Sequence, residues 1–312
     1  MPAVTVVIPV YNGSRFLRST LESVFEQTCQ DYEIICVDDG STDASLTILA
    51  EYADRVRVIN QVNAGQGSAR NAGVRRGTGK YIAFLDQDDR WYPQNLERQV
   101  AELELHPDLA MVHCDMDWID TSGQVIRCNV VSKTRRSQQD SLVTFTRMVG
   151  WDPAIYPSTM LIRRDAFDRI DGFDPDLRYG EDIDLALRLK QDGEFLFLAQ
   201  SLTQYRKHSA NFSGSGSDTM FLSSEKFLHK LQTVYAGDRT KEMVLNRFFA
   251  QLYSDWGKMK IRCGCRREGQ RLLLRSLRYY PWKVGTYSRI VRSALPSQAN
   301  HNRRIHGEEG HS

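Results

Sequence analysis

The chain of 312 residues lacks the long apolar runs, leader features and cysteine patterns that mark several classes of protein. Its longest apolar stretches fall short of the roughly 18 residues that a membrane-spanning helix needs. The N-terminal MPAVTVVIPV has neither a basic segment nor a small-residue cleavage site, so we expect no secretory signal. The six cysteines are scattered, and Cys263-Gly264-Cys265 lacks the further ligands of a structural zinc site. We therefore expect a cytoplasmic protein without a disulfide framework.

Two nucleotide-binding motifs are also missing. No G-x-G-x-x-G follows the first predicted strand, and no G-x-x-x-x-G-K-[ST] occurs anywhere in the chain. These absences weigh against a nicotinamide-dependent enzyme and against a P-loop enzyme. The sequence also shows no Ser/His/Asp or Cys/His arrangement that would require an enzyme nucleophile.

Basic residues are concentrated near the C-terminal end. The net charge is +2, yet residues 258–304 hold thirteen Lys and Arg and a single acid, while residues 1–257 are net acidic. Within residues 271–292, leucine, tyrosine and tryptophan are interleaved with arginine, which favours a peripheral contact with anionic lipid at the inner face of the cell membrane. The alternative is a helical subdomain that packs its leucines inward. No nucleic-acid-binding module accompanies the charge, so we expect no nucleic-acid partner.

Short β-branched runs alternate with helical patterns over residues 4–105. The pattern predicts strands at 4–10, 33–43, 56–61 and 80–86 and helices at 14–28, 43–54, 67–77 and 93–105. Repeated strand–helix units with continuously apolar strands predict a parallel, doubly wound α/β sheet with both faces covered.

After residue 106 the pattern becomes mixed and then helical. It predicts strands near 110–119, 124–131, 158–163 and 195–206, and helices near 164–170 and 181–192. We predict one domain over 1–218, with a nucleotide-binding half at 1–105 and an acceptor half at 106–218. A helical region should follow at 219–295, and the polar end, 296–312, should be disordered.

Polar clusters follow three of the predicted strands at their carboxyl ends. They are Tyr11-Asn12-Gly13, Asp38-Asp39-Gly40-Ser41 and Asp86-Gln87-Asp88. Because ligands of such sheets bind outside the carboxyl ends of the strands, the three clusters predict a single crevice.

The stretch FLDQDDRW, residues 84–91, places three carboxylates within four positions after an apolar run. An Asp-x-Asp at a strand end suits a hard divalent metal that also binds phosphate oxygens. The alternative is a turn with helix-capping aspartates. Asp115-Met116-Asp117 has the same spacing, but it lies in an alternating strand pattern that is compatible with two solvent-facing aspartates, and we assign it no site.

Four other polar residues have both functional and ordinary interpretations. Asp39 could accept from a ring N–H or a ribose hydroxyl, or it could simply form a turn. Glu181 and Asp182 open an amphipathic helix, where acids are stabilised by the helix dipole alone. His208, considered by itself, is typical of a surface residue.

Taken together, seven segments resemble the family 2 glycosyltransferases, which are inverting enzymes of the GT-A fold that depend on sugar nucleotides. The segments, found in the family's order between about residues 4 and 213, are VVIPVYNG, VDDGSTD, NAGQGSARNAG, YIAFLDQDD, STMLIRRDAF, GFDPDLRYGEDIDLALRL and YRKHSANFS. The resemblance implies a Rossmann-like nucleotide-binding sheet merged with a mixed acceptor-side sheet. Residues 219–312 match no pattern of the family.

The resemblance implies roles for five residues around the donor nucleotide. Pro9 and Tyr11 would lie against the base, with Tyr11 available for stacking. Asp39 would accept from the base, which is typically uracil, and Arg70 would flank the same pocket. Asp86 would reach the ribose and the metal sphere.

The resemblance also implies a metal site and a catalytic pair. Asp88 would hold Mn²⁺ or Mg²⁺ against the donor diphosphate, and His208 resembles a C-terminal histidine that joins the metal or diphosphate site in some members. Asp182 would be the catalytic base, oriented by Glu181 or alternating with it.

The implied function is transfer of a sugar from a nucleotide-sugar donor, typically a UDP-sugar, to an acceptor hydroxyl. The acceptor would be a saccharide or a lipid-linked saccharide in cell-envelope polysaccharide or glycolipid synthesis. Two alternatives stay open at this point: an inactive glycosyltransferase-like protein that only binds nucleotide, and a sugar-1-phosphate nucleotidyltransferase. The latter would need a Gly-rich first loop bearing Arg or Lys, for which YNGSRF is a poor substitute.

Overall fold

The computed structural model describes residues 2–134, 155–208 and 217–282, together with positions 145, 149, 285, 287 and 289. The chain divides into two compact units, Met1–Ser215 and Gly216–Ser312. The subdivision of the first unit into a donor half and an acceptor half stays a prediction. The polar end at 296–312 lies outside the described residues.

A nine-stranded sheet organises the first unit. Its strands are β1 (Val4–Val10), β2 (Tyr32–Asp38), β3 (Arg57–Asn60), β4 (Tyr81–Phe84), β5 (Arg90–Trp91), β6 (Leu109–Ile119), β7 (Val125–Arg127), β8 (Met160–Arg163) and β9 (Glu194–Arg206). They are ordered β3-β2-β1-β4-β8-β6-β9-β5, and β7 pairs with β6.

Helices connect these strands and form the second unit. In the first unit the described helices are α1 (Leu17–Phe25), α2 (Ser45–Ala50), α3 (Gln66–Arg76), α4 (Asn95–Leu105), α5 (Val130–Thr134), α6 (Arg164–Arg169) and α7 (Glu181–Asp192). The second unit contains α8 (Asp218–Val234), α9 (Arg239–Arg262) and α10 (Arg266–Tyr279).

The N-terminal part of the sheet is parallel, as the strand–helix alternation predicts. Strand β1 pairs in parallel with both β2 and β4, and β2 pairs in parallel with β3. Every residue of β1 is buried, because helices cover both faces of the sheet there. In this register Val10 lies opposite Asp38, so the polar residues that follow the two strands emerge at the same edge.

The C-terminal part of the sheet is mixed. Strand β8 lies antiparallel to both β4 and β6, and β6 runs parallel to β9 over most of its length. The predicted architecture, a parallel α/β sheet merged with a mixed sheet and followed by helices, is confirmed. The two-residue strand β5, which pairs antiparallel with β9, has no counterpart in the sequence prediction.

Two details of the sequence prediction are wrong. The strand expected at 124–131 ends at Arg127, and helix α5 begins at Val130. Asp115 causes the change, because its carboxylate accepts from the backbone N–H of Val131 at 2.8 Å and of Ser132 at 3.0 Å, in the first turn of that helix. The strand expected at 158–163 begins only at Met160, after a 3₁₀ turn.

The interpretation of Asp115 and Asp117 as compatible with solvent-facing residues is also wrong, since both are buried. The Asp117 carboxylate accepts from the backbone N–H of Asn129 at 2.9 Å and from the hydroxyl of Tyr92 at 2.8 Å. Both aspartates therefore fix the chain between β6 and α5. Their structural role agrees with the decision to assign this Asp-x-Asp no site.

The second unit is a helical assembly with an aromatic core. Phe249, Tyr253 and Leu273 are fully buried, and the rings of Phe249 and Tyr279 stack with centroids 4.5 Å apart. The hydroxyl of Ser276 donates to the carbonyl of Ala250 and ties α10 to α9. Among the helices in the described ranges, none combines the length and apolar content needed to cross a membrane.

Candidate active site

The side chain of Gln87 joins the ends of β1 and β4. Its Oε1 accepts from the backbone N–H of Tyr11 at 2.8 Å, and its Nε2 donates to the carbonyl of Tyr11 at 3.0 Å. Gly13 leaves room for this amide, because a Cβ at that position would lie 2.1 Å from Oε1 of Gln87. The loop after β1 and the loop after β4 are therefore held together by one side chain.

The loop after β2 joins the same group. The backbone N–H of Asn12 donates to the hydroxyl of Ser41 at 3.0 Å, and the Asn12 side-chain oxygen accepts from the backbone N–H of Thr42 at 2.8 Å. Asn12 has a φ of 51°, a left-handed conformation that asparagine tolerates better than most residues. The predicted convergence of three polar loops is thus confirmed.

Asp39 is buried and holds the segment after β3. Its Oδ1 accepts from the side chain of Gln61 at 2.7 Å and from the backbone N–H of Ala64 at 2.8 Å, while Oδ2 accepts from the backbone N–H of Gly65 at 2.9 Å. An ionised carboxylate offers about four acceptor positions, so this arrangement leaves room for one further donor. Pro9 is buried within β1.

Tyr11 presents a side chain that is 48% exposed, beyond the end of β1. An exposed ring at a strand end is available for stacking against a flat ligand. The backbone of Tyr11, unlike its ring, is fixed by the two hydrogen bonds that it shares with the side-chain amide of Gln87.

The loop after β4 is held in place by buried hydrogen bonds of Asp89 and Ser158. The Ser158 hydroxyl donates to Oδ2 of Asp89 at 2.6 Å and accepts from the backbone N–H of Asp86 at 3.1 Å. Oδ1 of Asp89 accepts from the backbone N–H of Arg206 at 2.9 Å. Burial, and then the charges of Asp88 and Asp86, raise the pKa of Asp89 well above its ordinary value. Asp89 is therefore a structural carboxylate that connects this loop to the end of β9.

Asp88 and His208 lie side by side, with Oδ2 and Nε2 separated by 2.8 Å. Burial and the neighbouring charge of Asp86 raise the pKa of Asp88, an effect that the His208 ring opposes. Carboxylate oxygen and imidazole nitrogen are both ligands of Mn²⁺. Two adjacent ligand atoms, each about 2.1 Å from such an ion, would lie about 3 Å from each other. The pair therefore fits a divalent ion.

This pair would need further ligands to hold a metal ion. In the described ranges no group of three or more His, Cys, Asp or Glu side chains is arranged for that purpose. The remaining positions would fall to water and to oxygens of a bound phosphate, as is usual for Mg²⁺ in phosphate-handling sites.

Arg70 connects the loop after β4 with the start of α7. It is 1% exposed, and its guanidinium donates to Oδ1 of Asp86 at 2.7 Å and to Oε1 of Glu181 at 3.1 Å. Burial alone would lower its pKa, but the charges of Asp86 and Glu181 outweigh burial and raise it. Because arginine offers several donors in one plane, a single side chain can bridge two carboxylates in this way.

Glu181 and Asp182 begin α7 directly after Gly180, whose φ of 79° favours glycine. Glu181 is buried, and its Oε1 also accepts from the side chain of Gln66 at 2.6 Å. Asp182 is partly exposed, and its Oδ1 accepts from the backbone N–H of Ile183 at 2.8 Å. No side chain in the described ranges donates to Asp182, whose carboxylate accepts only from backbone N–H groups at the start of α7. Glu181 is thus held by two side chains, whereas Asp182 is held by none.

The environment makes both carboxylates more basic than usual. Burial and the charge of Asp182 raise the pKa of Glu181 to about 7, despite the opposing charge of Arg70. Burial also raises the pKa of Asp182, with a further contribution from the charge of Asp86. A partly exposed carboxylate with a raised pKa is suited to accept a proton from a bound hydroxyl.

The structure brings most of the predicted residues into two linked groups. In the first group, Arg70 joins Asp86 to Glu181, the neighbour of Asp182 in the sequence. In the second group, Asp88 contacts His208. The two groups are linked because Asp86 and Asp88 lie on the same loop. Asp39 contacts neither group within the described residues and instead holds its own loop.

Sequence reasoning assigned no role to Ser158, Gln66 or Asp89. The third carboxylate of FLDQDD was visible in the sequence, but its burial against Ser158 was not. Single serine and glutamine residues carry no distinguishing signal in a sequence.

Comparison with known proteins gives consistent results. Glycosyl transferase family 2 matches residues 5–171. Over 210 residues the chain is 33% identical to an uncharacterized glycosyltransferase of Rickettsia prowazekii, which covers 67% of this chain and 65% of that protein. An uncharacterized glycosyltransferase of Nostoc sp. is 34% identical over 224 residues, 67% of this chain and 66% of its own length. The match thus spans slightly less than two thirds of these relatives.

Among solved structures, S. aureus TarS residues 1–349 superpose with a TM-score of 0.64 at 17% identity, over 89% of this chain and 81% of that one. The same protein in complex with UDP-GlcNAc gives a TM-score of 0.64 at 16% identity, over 96% and 91% of the two chains. At this level of identity the likeness concerns the fold, and it agrees with the GT-A architecture expected from the sequence.

Proposed function

This chain belongs to glycosyl transferase family 2, and we propose that it is an inverting enzyme that moves a sugar from a nucleoside-diphosphate donor to an acceptor hydroxyl. The observation that carries the proposal is Asp182, a carboxylate that no described side chain engages, next to Glu181 on the network that reaches Asp86, with the Asp88–His208 pair beside it. That arrangement would supply a base and a phosphate-binding end in one site.

For the donor we propose a UDP-sugar. Tyr11 would stack on the base, Asp39 would accept from a ring N–H with its remaining acceptor position, and buried Pro9 would form the wall behind them. Arg70 would support the pocket through Asp86 rather than contact the base, because its terminal nitrogens are engaged with two carboxylates. The UDP-GlcNAc complex of TarS, which shares the fold, supports this choice of donor.

Asp88 and His208 would hold Mn²⁺ or Mg²⁺ together with oxygens of the donor diphosphate. When bound, such an ion stabilises the negative charge that develops on the leaving diphosphate. Asp86 would face the ribose and the metal ion with its other oxygen, while its Oδ1 remains hydrogen-bonded to Arg70. Asp88 must be ionised to act as a ligand, and because its pKa is raised by burial, metal binding should weaken as the pH falls.

Asp182 would accept the proton of the acceptor hydroxyl as the new bond forms at the anomeric carbon. Attack opposite to the leaving group inverts that carbon in one displacement, without an enzyme nucleophile. Glu181 would position Asp182 by fixing the start of α7 to Gln66 and Arg70. A base of moderate pKa suffices, because the hydroxyl becomes acidic only as the bond forms.

A donor screen tests the activity before any acceptor is known. We expect the protein to release UDP slowly from at least one UDP-sugar in the presence of Mn²⁺, and more slowly or not at all from GDP- and dTDP-sugars. Release of pyrophosphate from a nucleoside triphosphate and a sugar 1-phosphate would instead identify a nucleotidyltransferase. Nucleotide binding without release from any donor would support an inactive family member.

We also propose that the acceptor is a saccharide or lipid-linked saccharide of the cell envelope and that the basic C-terminal segment meets anionic lipid. In α10 the leucines divide between two roles, since Leu273 is fully buried whereas Leu274 is 54% exposed. Trp282, just beyond the helix, is 80% exposed. Exposed arginines flank them at 271 and 278. This combination of exposed apolar and cationic side chains suits a lipid interface.

Vesicle co-sedimentation tests the lipid contact. The wild-type protein should sediment with vesicles that contain phosphatidylglycerol, and it should do so less at high salt, because each surface cation contributes about 1 kcal/mol. Replacing Arg271 and Arg278 by serine should reduce binding by about tenfold or more. The same replacement at exposed Arg75 and Arg76, in the first unit, is the matched control. If the fraction of protein that sediments is the same with neutral and anionic vesicles and at low and high salt, the electrostatic contact is contradicted.

A further inference from the structure

Two cationic side chains, Arg127 and Lys207, lie against the indole of Trp118. The ammonium of Lys207 lies 4.1 Å from the centroid of the Trp118 ring system and 4.8 Å from that of Tyr205. The guanidinium carbon of Arg127 lies 5.0 Å from the Trp118 centroid. We call Trp118, Arg127 and Lys207 the donor cluster, where donor refers to hydrogen-bond donors and not to the sugar nucleotide.

The donor cluster has no matching acceptors in the described ranges. Neither Lys207 nor Arg127 forms a side-chain hydrogen bond or salt bridge there, and the Nε1–H of Trp118 is buried without a partner. Lys207 is itself only partly exposed. Arg127 is exposed. Buried donors are paired in the great majority of cases, so the unpaired indole N–H between two cations calls for a specific explanation. An anion, which accepts hydrogen bonds and neutralises the cations, would satisfy this cluster.

Aromatic side chains lie beside the donor cluster and also near the candidate base. Tyr205 lies opposite Trp118 in the β6–β9 ladder, and its ring is 5.4 Å from that of Tyr156. Tyr179, just before α7, is close enough to both Tyr156 and Asp182 for their charges, after burial, to raise its pKa. Partly exposed aromatic side chains are thus found both beside Lys207, at Tyr205 and Tyr156, and next to Asp182, at Tyr179.

Lys207 points away from the Asp88–His208 pair. Successive side chains on an extended segment alternate between faces. Arg206 and His208 both contact the ring of Phe16, at 4.7 Å and 5.1 Å, whereas Lys207 contacts Trp118 and Tyr205. The donor cluster therefore lies on the opposite side of this segment from the pair expected to serve the donor diphosphate.

We propose that the donor cluster binds a negatively charged group of the acceptor, either a carboxylate or a phosphate, and that the acceptor's sugar ring packs on the aromatic side chains toward Asp182. This inference rests on the proposed function, because it specifies the acceptor of the same site. The cations supply charge and donors, and the faces of Tyr156 and Tyr179 supply an apolar surface for the C–H groups of a pyranose. The acceptor is thus an anionic saccharide rather than a neutral one.

The test compares three small probes on protein saturated with UDP and Mn²⁺. Glucose, glucuronate and glucose 6-phosphate are titrated by saturation-transfer NMR. At least one anionic probe should bind about tenfold more tightly than glucose, the usual range for a hydrogen bond to a charged group. Which anion is preferred distinguishes a carboxylate acceptor from a phosphate acceptor.

Variants assign the preference to the donor cluster. Lys207→Met should remove the preference, Lys207→Arg should retain it, and Trp118→Phe, which removes only the indole N–H and part of the ring, should weaken it. Lys80→Met makes the same chemical change at a solvent-exposed position, 56% exposed and paired with Glu104, and should have no effect. UDP affinity should be the same in all four variants.

Three results would overturn the inference. The first is equal binding of all three probes, and the second is a preference that survives Lys207→Met. The third is a loss of UDP affinity in Lys207→Met, which would assign the cation to the sugar-nucleotide donor instead. UDP binding and donor turnover are measured separately, so a failure of the proposed function would appear there while the anion preference could still hold.

Discussion

Asp182→Asn is expected to lower turnover at saturating donor by about 100-fold or more, the usual contribution of a general base. Asparagine keeps the shape of the side chain and its acceptor for the Ile183 N–H, but it cannot take up a proton. Donor affinity should remain nearly unchanged, because Asp182 has no described contact with Tyr11, Asp39 or Asp88. Steady-state turnover with a donor identified in the screen, together with a UDP titration, measures both quantities.

Glu181→Gln is the matched comparison. Glutamine retains Oε1 as an acceptor for Gln66 and Arg70, so it keeps most of the positioning contacts. We expect a smaller loss of turnover than in Asp182→Asn. If Glu181→Gln is inactive and Asp182→Asn turns over normally, the two roles are reversed. Far-UV circular dichroism of both variants checks that the start of α7 is still folded.

The pH profile gives a second check on the base. Burial raises the pKa of Asp182, so its carboxylate becomes protonated at a higher pH than an ordinary aspartate. The base form is therefore lost as the pH falls through this raised pKa, and turnover should fall with it. At saturating donor and Mn²⁺, the part of this acidic limb that is due to Asp182 should be absent from the residual activity of Asp182→Asn.

Asp88→Asn is expected to abolish the contribution of Mn²⁺ to UDP binding. The wild-type protein should bind UDP more tightly with Mn²⁺ than without it, because the Asp88–His208 pair would hold the ion against the diphosphate. Asparagine is a neutral and weaker ligand, so the variant should show the same affinity with and without metal. Isothermal titration of UDP in the two conditions measures the difference.

The fold should survive Asp88→Asn, since the side chain of Asp88 is 22% exposed and lies on a loop. Asp108→Asn, at an exposed position after α4, makes the same chemical change away from the site and should leave the metal effect intact. Wild-type protein that binds UDP equally well with and without Mn²⁺ would contradict the metal site.

Local patterns predicted the elements around the site well. The fully buried β1 and the amphipathic α7 lie at the residues that their apolar spacing indicates, 4–10 and 181–192. Strand-end position also located Tyr11, Asp39 and Asp86 correctly at one edge of the sheet. These features depend on short segments, whose burial is encoded in their own periodicity.

The errors have a different physical origin. Helix α5 begins at Val130 because a carboxylate from β6 caps its first turn, a contact that joins residues far apart along the chain. The insertion of β8 between β4 and β6 is likewise a tertiary event. The pairing of Arg70 with Glu181 spans 111 residues, so no local pattern could separate the buried glutamate from its partly exposed neighbour Asp182.

The double hydrogen bond between Gln87 and the Tyr11 backbone would couple nucleotide binding to metal binding at the proposed site. Gln87 stands between Asp86 and Asp88, so a shift of the proposed metal-side loop would also move Tyr11, and the reverse would hold. By linkage, any factor by which the ion tightens UDP must equal the factor by which UDP tightens the ion. The free protein would then bind each ligand weakly and the pair strongly, so that the site is completed only when donor and metal arrive together.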